Sequence, residues 1–129
     1  MPGRKANLRI AALAEVALVV ALAAIALSLR RFTRFEVIGR SMAPTLEPGD
    51  WLLAERRRRP IAGDIVLARD PRDPARTLVK RVAAVDADGV WLAGDNPAES
   101  TDSRTFGPVP RSNIIARVRW RYWPDPRRL

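Results

Sequence analysis

The hydrophobic pattern changes character once along the chain. From Ile10 to Leu29 nearly every position is Ala, Leu, Val or Ile, without Gly or Pro, and Glu15 is the only charge. Twenty residues rising ~1.5 Å each cover the ~30 Å hydrocarbon core of a bilayer, so the stretch predicts a transmembrane helix, with residues 10–31 as the anchor. Glu15 falls in the first turns, where it reaches the interface or is neutralised. Two other readings compete. A cleavable signal peptide fits poorly with the length of the stretch and with Arg30-Arg31 as its end. A soluble amphipathic helix lacks its polar stripe. Arg4, Lys5 and Arg9 on one side balance Arg30, Arg31 and Arg34 on the other, so charge leaves the orientation open.

Beyond Arg31 short apolar, β-branched runs alternate with Gly, Pro and Asp, the pattern of an all-β domain. The runs predict strands at Phe35–Ile38, Trp51–Glu55, Asp64–Arg69, Thr77–Asp86, Val90–Ala93 and Asn113–Trp123. Asp86-Ala87-Asp88-Gly89 reads as a hairpin turn, and Pro48-Gly49-Asp50 and Asp70-Pro71 as further reversals. The expected organisation is a short amino-terminal segment (1–9), the anchor (10–31), one β-domain (32–123) and a polar tail (124–129). Such a domain builds only a small core, which the anchor or membrane helps to stabilise.

Composition narrows the chemistry. The chain has no His and no Cys, which excludes Ser-His-Asp and Cys-His catalysis, His-ligated zinc, disulfides and thiolate sites. A hydrolase here takes its base from Asp, Glu, Lys or Tyr. The net charge is +9, and 21 of the 23 basic residues are Arg, so that Lys80 is the sole lysine after Lys5. Arg cannot give up its proton, whereas a buried Lys can, so a site needing a neutral amine keeps Lys. Arg56–Arg59 reads first as a solvated loop, then as a lipid-headgroup contact and, without interleaved aromatics, least as a nucleic-acid contact.

Three segments stand apart. In Ile38-Gly39-Arg40-Ser41-Met42-Ala43-Pro44-Thr45-Leu46, Ser41 follows a strand and enters a Pro-containing turn, where a nucleophile is exposed beside free backbone N–H groups. A turn serine bonded to its own backbone is the bland alternative. In Thr77-Leu78-Val79-Lys80-Arg81-Val82, Lys80 shares a strand face with Leu78 and Val82, where desolvation lowers an amine pKa; a surface lysine on an edge strand competes. Gly94 to Arg104 packs hydroxyls and carboxylates that can aim an amine at a hydroxyl. It also fits a polar surface loop or an acidic calcium loop, although EF-hand spacing is absent.

In this order, with Gly63-Asp64-Ile65-Val66 between the first two, the segments resemble the boxes of the signal peptidase I family of Ser–Lys proteases. Ser-Met-x-Pro-Thr is met from Ser41 to Thr45, Lys-Arg-Val from Lys80 to Val82, and Gly-Asp-Asn with Ser-x-Asp-Ser-Arg from Gly94 to Arg104. The resemblance covers roughly residues 35 to 123. It implies a mainly β fold, a small signal-peptidase-like barrel or sandwich preceded by one transmembrane helix. It implies Ser41 as nucleophile, Lys80 as its base, Ser100 orienting the amine, and Asp102 paired with Arg104. Met42 would keep the amine dry, and the Ser41 N–H would bind the oxyanion. Where some members have a hydroxyl two residues before the nucleophile, this chain has Gly39. No cofactor or metal is implied.

The implied partners are the lipid bilayer and a precursor protein bound as an added strand, its side chains received by Phe35, Val37, Met42, Leu46 and Val79. The amino terminus is then cytoplasmic and the catalytic domain outside. Only 13 residues separate Lys80 from Gly94, where many bacterial members carry a second β-domain. That shortness, and the ending Arg-Trp-Arg-Tyr-Trp-Pro, also resemble nickel-type superoxide dismutase maturation proteases, which implies one dedicated precursor. A self-cleaving Ser–Lys regulator lacks its DNA-binding domain here, and a non-catalytic tethered module does not need both Ser41 and Lys80.

Overall fold

The computed structural model describes residues 2–56 and 59–129 and divides into two compact units, Met1–Arg31 and Phe32–Leu129. The first is one helix, α1 (Pro2–Leu29). It extends the apolar stretch back through Arg4, Lys5 and Arg9, since nothing from Gly3 onward breaks a helix. Among the described residues it is the one helix long and apolar enough to cross a membrane, over Gly3–Leu29.

The second unit is mainly β, as expected. Its strands are β1 (Phe32–Glu36), β2 (Trp51–Glu55), β3 (Ile65–Asp70), β4 (Asp73–Asp86), β5 (Gly89–Ala93), β6 (Ile114–Trp123) and β7 (Arg127–Arg128). They form one antiparallel sheet in the order β1-β2-β6-β3-β4-β5, with β7 paired to β6. β3 is covered on both faces, so its run is apolar without alternation: Ile65 and Leu67 enter one core cluster, Val66 and Ala68 the other. A register shift opposite Leu67/Ala68 sends Ala116 and Val118 of β6 to the first cluster and Ile114 to the second.

Three expectations need correction. The first strand begins three residues before and ends two residues before the expected Phe35–Ile38; it ends early because Gly39 adopts a left-handed φ of +81° and Ile38 is swung into solvent. β4 begins at Asp73, not Thr77: Asp70 accepts the Arg72 N–H (2.9 Å) and closes the turn, so the strand restarts at once. The tail is not merely polar. Pro124-Asp125-Pro126 reverses the chain, Arg127–Arg128 pair with Trp120–Arg121, and Leu129 donates to the Arg119 carbonyl (3.0 Å) and packs on the core. Of the Arg56–Arg59 cluster, Arg57 and Arg58 lie outside the described residues.

Candidate active site

Ser41 opens a turn whose ends are fastened by the backbone: Val37 N–H donates to Asp50 O (2.8 Å) and Gly49 N–H to Val37 O (2.9 Å). Met42 and Leu46 are driven fully into the first core cluster. With its neighbours anchored there, half-buried Ser41 stays at the surface of the turn. Neither its hydroxyl nor its backbone N–H has a hydrogen-bond partner among the described residues. Both are free for a substrate.

Lys80 sits in β4 opposite Val66 and is only 3% exposed. Its amine donates to Ser100 Oγ (2.9 Å), and Ser100 in turn donates to Asp102 Oδ2 (2.7 Å). The polarity of this chain is fixed from its far end. Asp102 also receives Gly94 N–H on Oδ2 (2.8 Å), Arg104 N–H and Nε on Oδ1 (3.2 and 2.8 Å), and Arg104 Nη2 on Oδ2. The Arg104 guanidinium above all holds the Asp102 carboxyl far below the usual range, so it acts purely as an acceptor. Ser100 must therefore give its proton to Asp102 and accept from Lys80. A neutral Lys80 has two N–H bonds and one lone pair, and spending an N–H on Ser100 leaves the lone pair free. Burial is the main cause lowering the Lys80 pKa; Asp102 opposes it, and the charges of Arg76, Arg104 and Arg72 add to it.

The four segments are tied together. The Arg81 guanidinium holds Asp95 through Nε (2.8 Å) and Nη2 (2.7 Å) and donates through Nη1 to the Gly63 carbonyl (2.9 Å). The Arg81 guanidinium above all, against the burial of the group and with a smaller contribution from Thr45, holds the Asp95 carboxyl below its usual range. Asn96 N–H donates to Ser41 O (2.9 Å), and its amide donates to Arg40 O (3.0 Å) and Glu99 Oε2 (2.8 Å). Gly94 lies so tightly between the two hydroxyl-bearing turns that a Cβ there would meet Ser100 Oγ at 2.2 Å and Ser41 O at 2.6 Å. Sequence reasoning quoted Gly94, Asp95, Asn96 and Arg81 inside the boxes but gave them no task, because Gly, Asp and Asn in a loop read first as turn formers.

Ser41 and Lys80 line one cavity of ≈ 430 Å³, within the usual range for ligand sites. Phe35, Ile38, Gly39 and Arg40 border it beside Ser41, and Arg76 to Val79 beside Lys80; Arg72, Glu99 and Thr101 complete it. Of the residues expected to receive substrate side chains, Phe35 and Val79 line the cavity. Val37, Met42 and Leu46 do not: they are sealed in the core cluster that also holds Val79, and they support the wall from behind. Ile38, Thr77 and Leu78 line it in their place. The expected pairing of Asp102 with Arg104 is present.

A family model described as signal peptidase, peptidase S26, matches residues 10–93 and 83–123. The chain is 41% identical over 113 residues to the mitochondrial ATP-independent inner membrane protease subunit 1b of Arabidopsis thaliana, covering 67% of each chain. It is 36% identical over 110 residues to mitochondrial inner membrane protease subunit 1 of Homo sapiens, covering 67% of this chain and 66% of that one. Subunit 2 of the Saccharomyces cerevisiae protease is 29% identical over 121 residues, covering 71% and 68%. The chain thus spans about two thirds of the length of these relatives. The geometry of the site and the extent of these matches lead to one assignment: the chain belongs to the peptidase S26 family of signal peptidases.

Proposed function

We propose that the chain is a membrane-anchored serine endopeptidase that removes amino-terminal signal or pro-segments from precursor proteins through Ser41 and Lys80. One observation carries the reading: the buried Lys80 amine donates to Ser100, whose own proton is claimed by Asp102, and shares a cavity with a Ser41 hydroxyl that has no hydrogen-bond partner among the described residues. In the first step Ser41 Oγ bonds to the scissile carbonyl carbon and its proton passes to Lys80 Nζ. The oxyanion is received by the Ser41 N–H. The C–N bond then breaks, the leaving amine, which is the new amino terminus of the mature part, takes the proton from Lys80, and the amino-terminal segment remains as an ester on Ser41. Water, deprotonated by Lys80, cleaves the ester and restores the serine. The relatives are named as inner membrane proteases, which supports α1 as a membrane anchor. The precursor is then met at the membrane, with residues beyond ~31 on the outer side, as the family resemblance implies. Their naming as subunits makes a second protein chain a further candidate partner.

The test is cleavage of a bacterial preprotein, and of a nickel superoxide dismutase precursor in parallel, by full-length chain in proteoliposomes. Ser41→Ala and Lys80→Ala each lower the rate by at least ~10³, since members of such a pair act as a unit. Lys80→Arg is equally inactive, because guanidinium cannot accept the proton. Near-wild-type turnover by either lysine variant ends the Ser–Lys reading. Cleavage of the dismutase precursor alone narrows the substrate to one dedicated protein.

A further inference from the structure

β4 is longer than the strand beside it. On one side it pairs with β3 from Asp73 to Arg81, while on the other β5 pairs only with Arg81 to Asp86. The second edge is therefore open over residues 73–80, and Arg76, Thr77, Leu78, Val79 and Lys80 border the cavity along it. An extended peptide reaching Ser41 has this edge as its natural template.

The charges bordering the cavity are lopsided: Arg40, Arg72 and Arg76 against one carboxylate, Glu99, besides Lys80 itself. Arg40 is occupied by Glu99 (3.3 Å). Arg72 is occupied by Asp70 through Nε (2.9 Å) and Nη2 (2.7 Å), and its guanidinium lies 5.3 Å from the Phe106 ring centre. Arg76 has no hydrogen bond or ion pair with any described residue, and acts on Asp70 and Lys80 only through space. A guanidinium offers five donors in a planar fork that matches a carboxylate.

We propose that Arg76, at the open edge of β4, binds an acidic side chain of the precursor and so selects substrates carrying a carboxylate about four residues from the bond cut, the spacing of Arg76 from Lys80 along the strand. The proposal rests on the endopeptidase reading and names a determinant of its substrate class. A lone arginine on an exposed edge can also meet a lipid phosphate, but Arg76 borders the cavity that holds Ser41, which favours the peptide.

The test uses the full chain carrying Ser41→Ala in phosphatidylcholine nanodiscs, so that binding is read without turnover. Fluorescence anisotropy gives Kd for peptides bearing Asp, Asn or Lys at the third, fourth or fifth residue from the bond, on either side. At one position Asp should bind up to about fivefold tighter than Asn. Arg76→Glu should invert the order of Asp and Lys there, a swing of roughly tenfold, and Arg76→Lys should keep it. Equal affinities at every position, an Asp-to-Lys ratio unmoved by Arg76→Glu, or no binding at all overturns the proposal. So does an effect of Arg76→Glu confined to discs containing anionic lipid, which would make Arg76 a headgroup contact. Failure of the endopeptidase reading appears elsewhere, as loss-free cleavage by the Ser41 and Lys80 variants, so the two failures are separable.

Discussion

Lys80 is an ionisable side chain placed where its charge is unwelcome. Burial lowers its pKa in the fold, so the folded chain releases the proton at a lower pH than the unfolded chain does. Below the folded value both states are protonated, and folding bears the full cost of confining the charge. Between that value and the ordinary lysine value near ~10.4, the unfolded state holds more protons, so stability rises with pH. Lys80→Met removes the cost and leaves Ser100 bonded to Asp102. Thermal melts should therefore find the variant more stable than wild type at about pH 6, with the gap narrowing towards about pH 10. A gap that is constant or widens with pH would mean the amine is not penalised by its surroundings. The sequence announced Lys80 by elimination, as one of only two lysines among 21 arginines in a chain without histidine. It could not announce the direction of the Asp102–Ser100–Lys80 hydrogen bonds, because that depends on which groups crowd Asp102 after the loop has folded. Nor could it place Val37, Met42 and Leu46: apolar residues beside a site read equally as pocket or as the core behind it, and the turn put them in the core.

Among the elements, β6 shows how the sheet that positions the site is held from outside. Its alternate residues Arg117, Arg119 and Arg121 pair with Asp64 (2.9 Å), Glu55 (3.1 Å) and Asp50 (3.2 Å). The first pair matters most to the site. Asp64 is only 6% exposed, and its backbone carbonyl accepts the Val82 N–H (2.7 Å), two residues after Lys80. Apart from Arg117, its carboxylate accepts the Ile61 N–H (3.0 Å). Arg117→Ala should therefore leave a buried carboxylate short of a donor and cost about 1–3 kcal/mol. In a denaturant cycle with Asp64→Asn, the double variant should lose less than the sum of the singles. Additive losses would show the pair to be idle. Strand existence was legible from the runs, because six of the seven are long enough to alternate or to be apolar throughout. β7 was not: two arginines after a Pro-Asp-Pro turn carry no pattern, and their place is set by β6. The end of β1 was misread because the hydrophobic run continues through Ile38, whereas the strand stops at Glu36 ahead of the turn at Gly39.

At the scale of the whole chain, the proposed function divides the work of the two units between chemistry and location. The strands, both core clusters and the cavity that holds Ser41 and Lys80 are built from residues of Phe32–Leu129, and the helix α1 proposed as the anchor forms a unit of its own. On that proposal the contribution of the anchor is proximity. Enzyme and precursor held in one bilayer meet at an effective concentration that free solution does not match, and that advantage vanishes when one of them is released. Deleting residues 1–31 should thus leave cleavage of a short soluble peptide within about threefold of the full chain, while cleavage of a precursor embedded in proteoliposomes falls by ~10² or more. The measurement is kcat/KM for both substrates with both forms of the enzyme. An equal fall on both substrates would mean that α1 supports the fold of the β-unit, as the modest size of that unit allows. Equal retention on both would mean that α1 does not bring the enzyme to its substrate, and the reading of Ile10–Leu29 as an anchor would have to be given up.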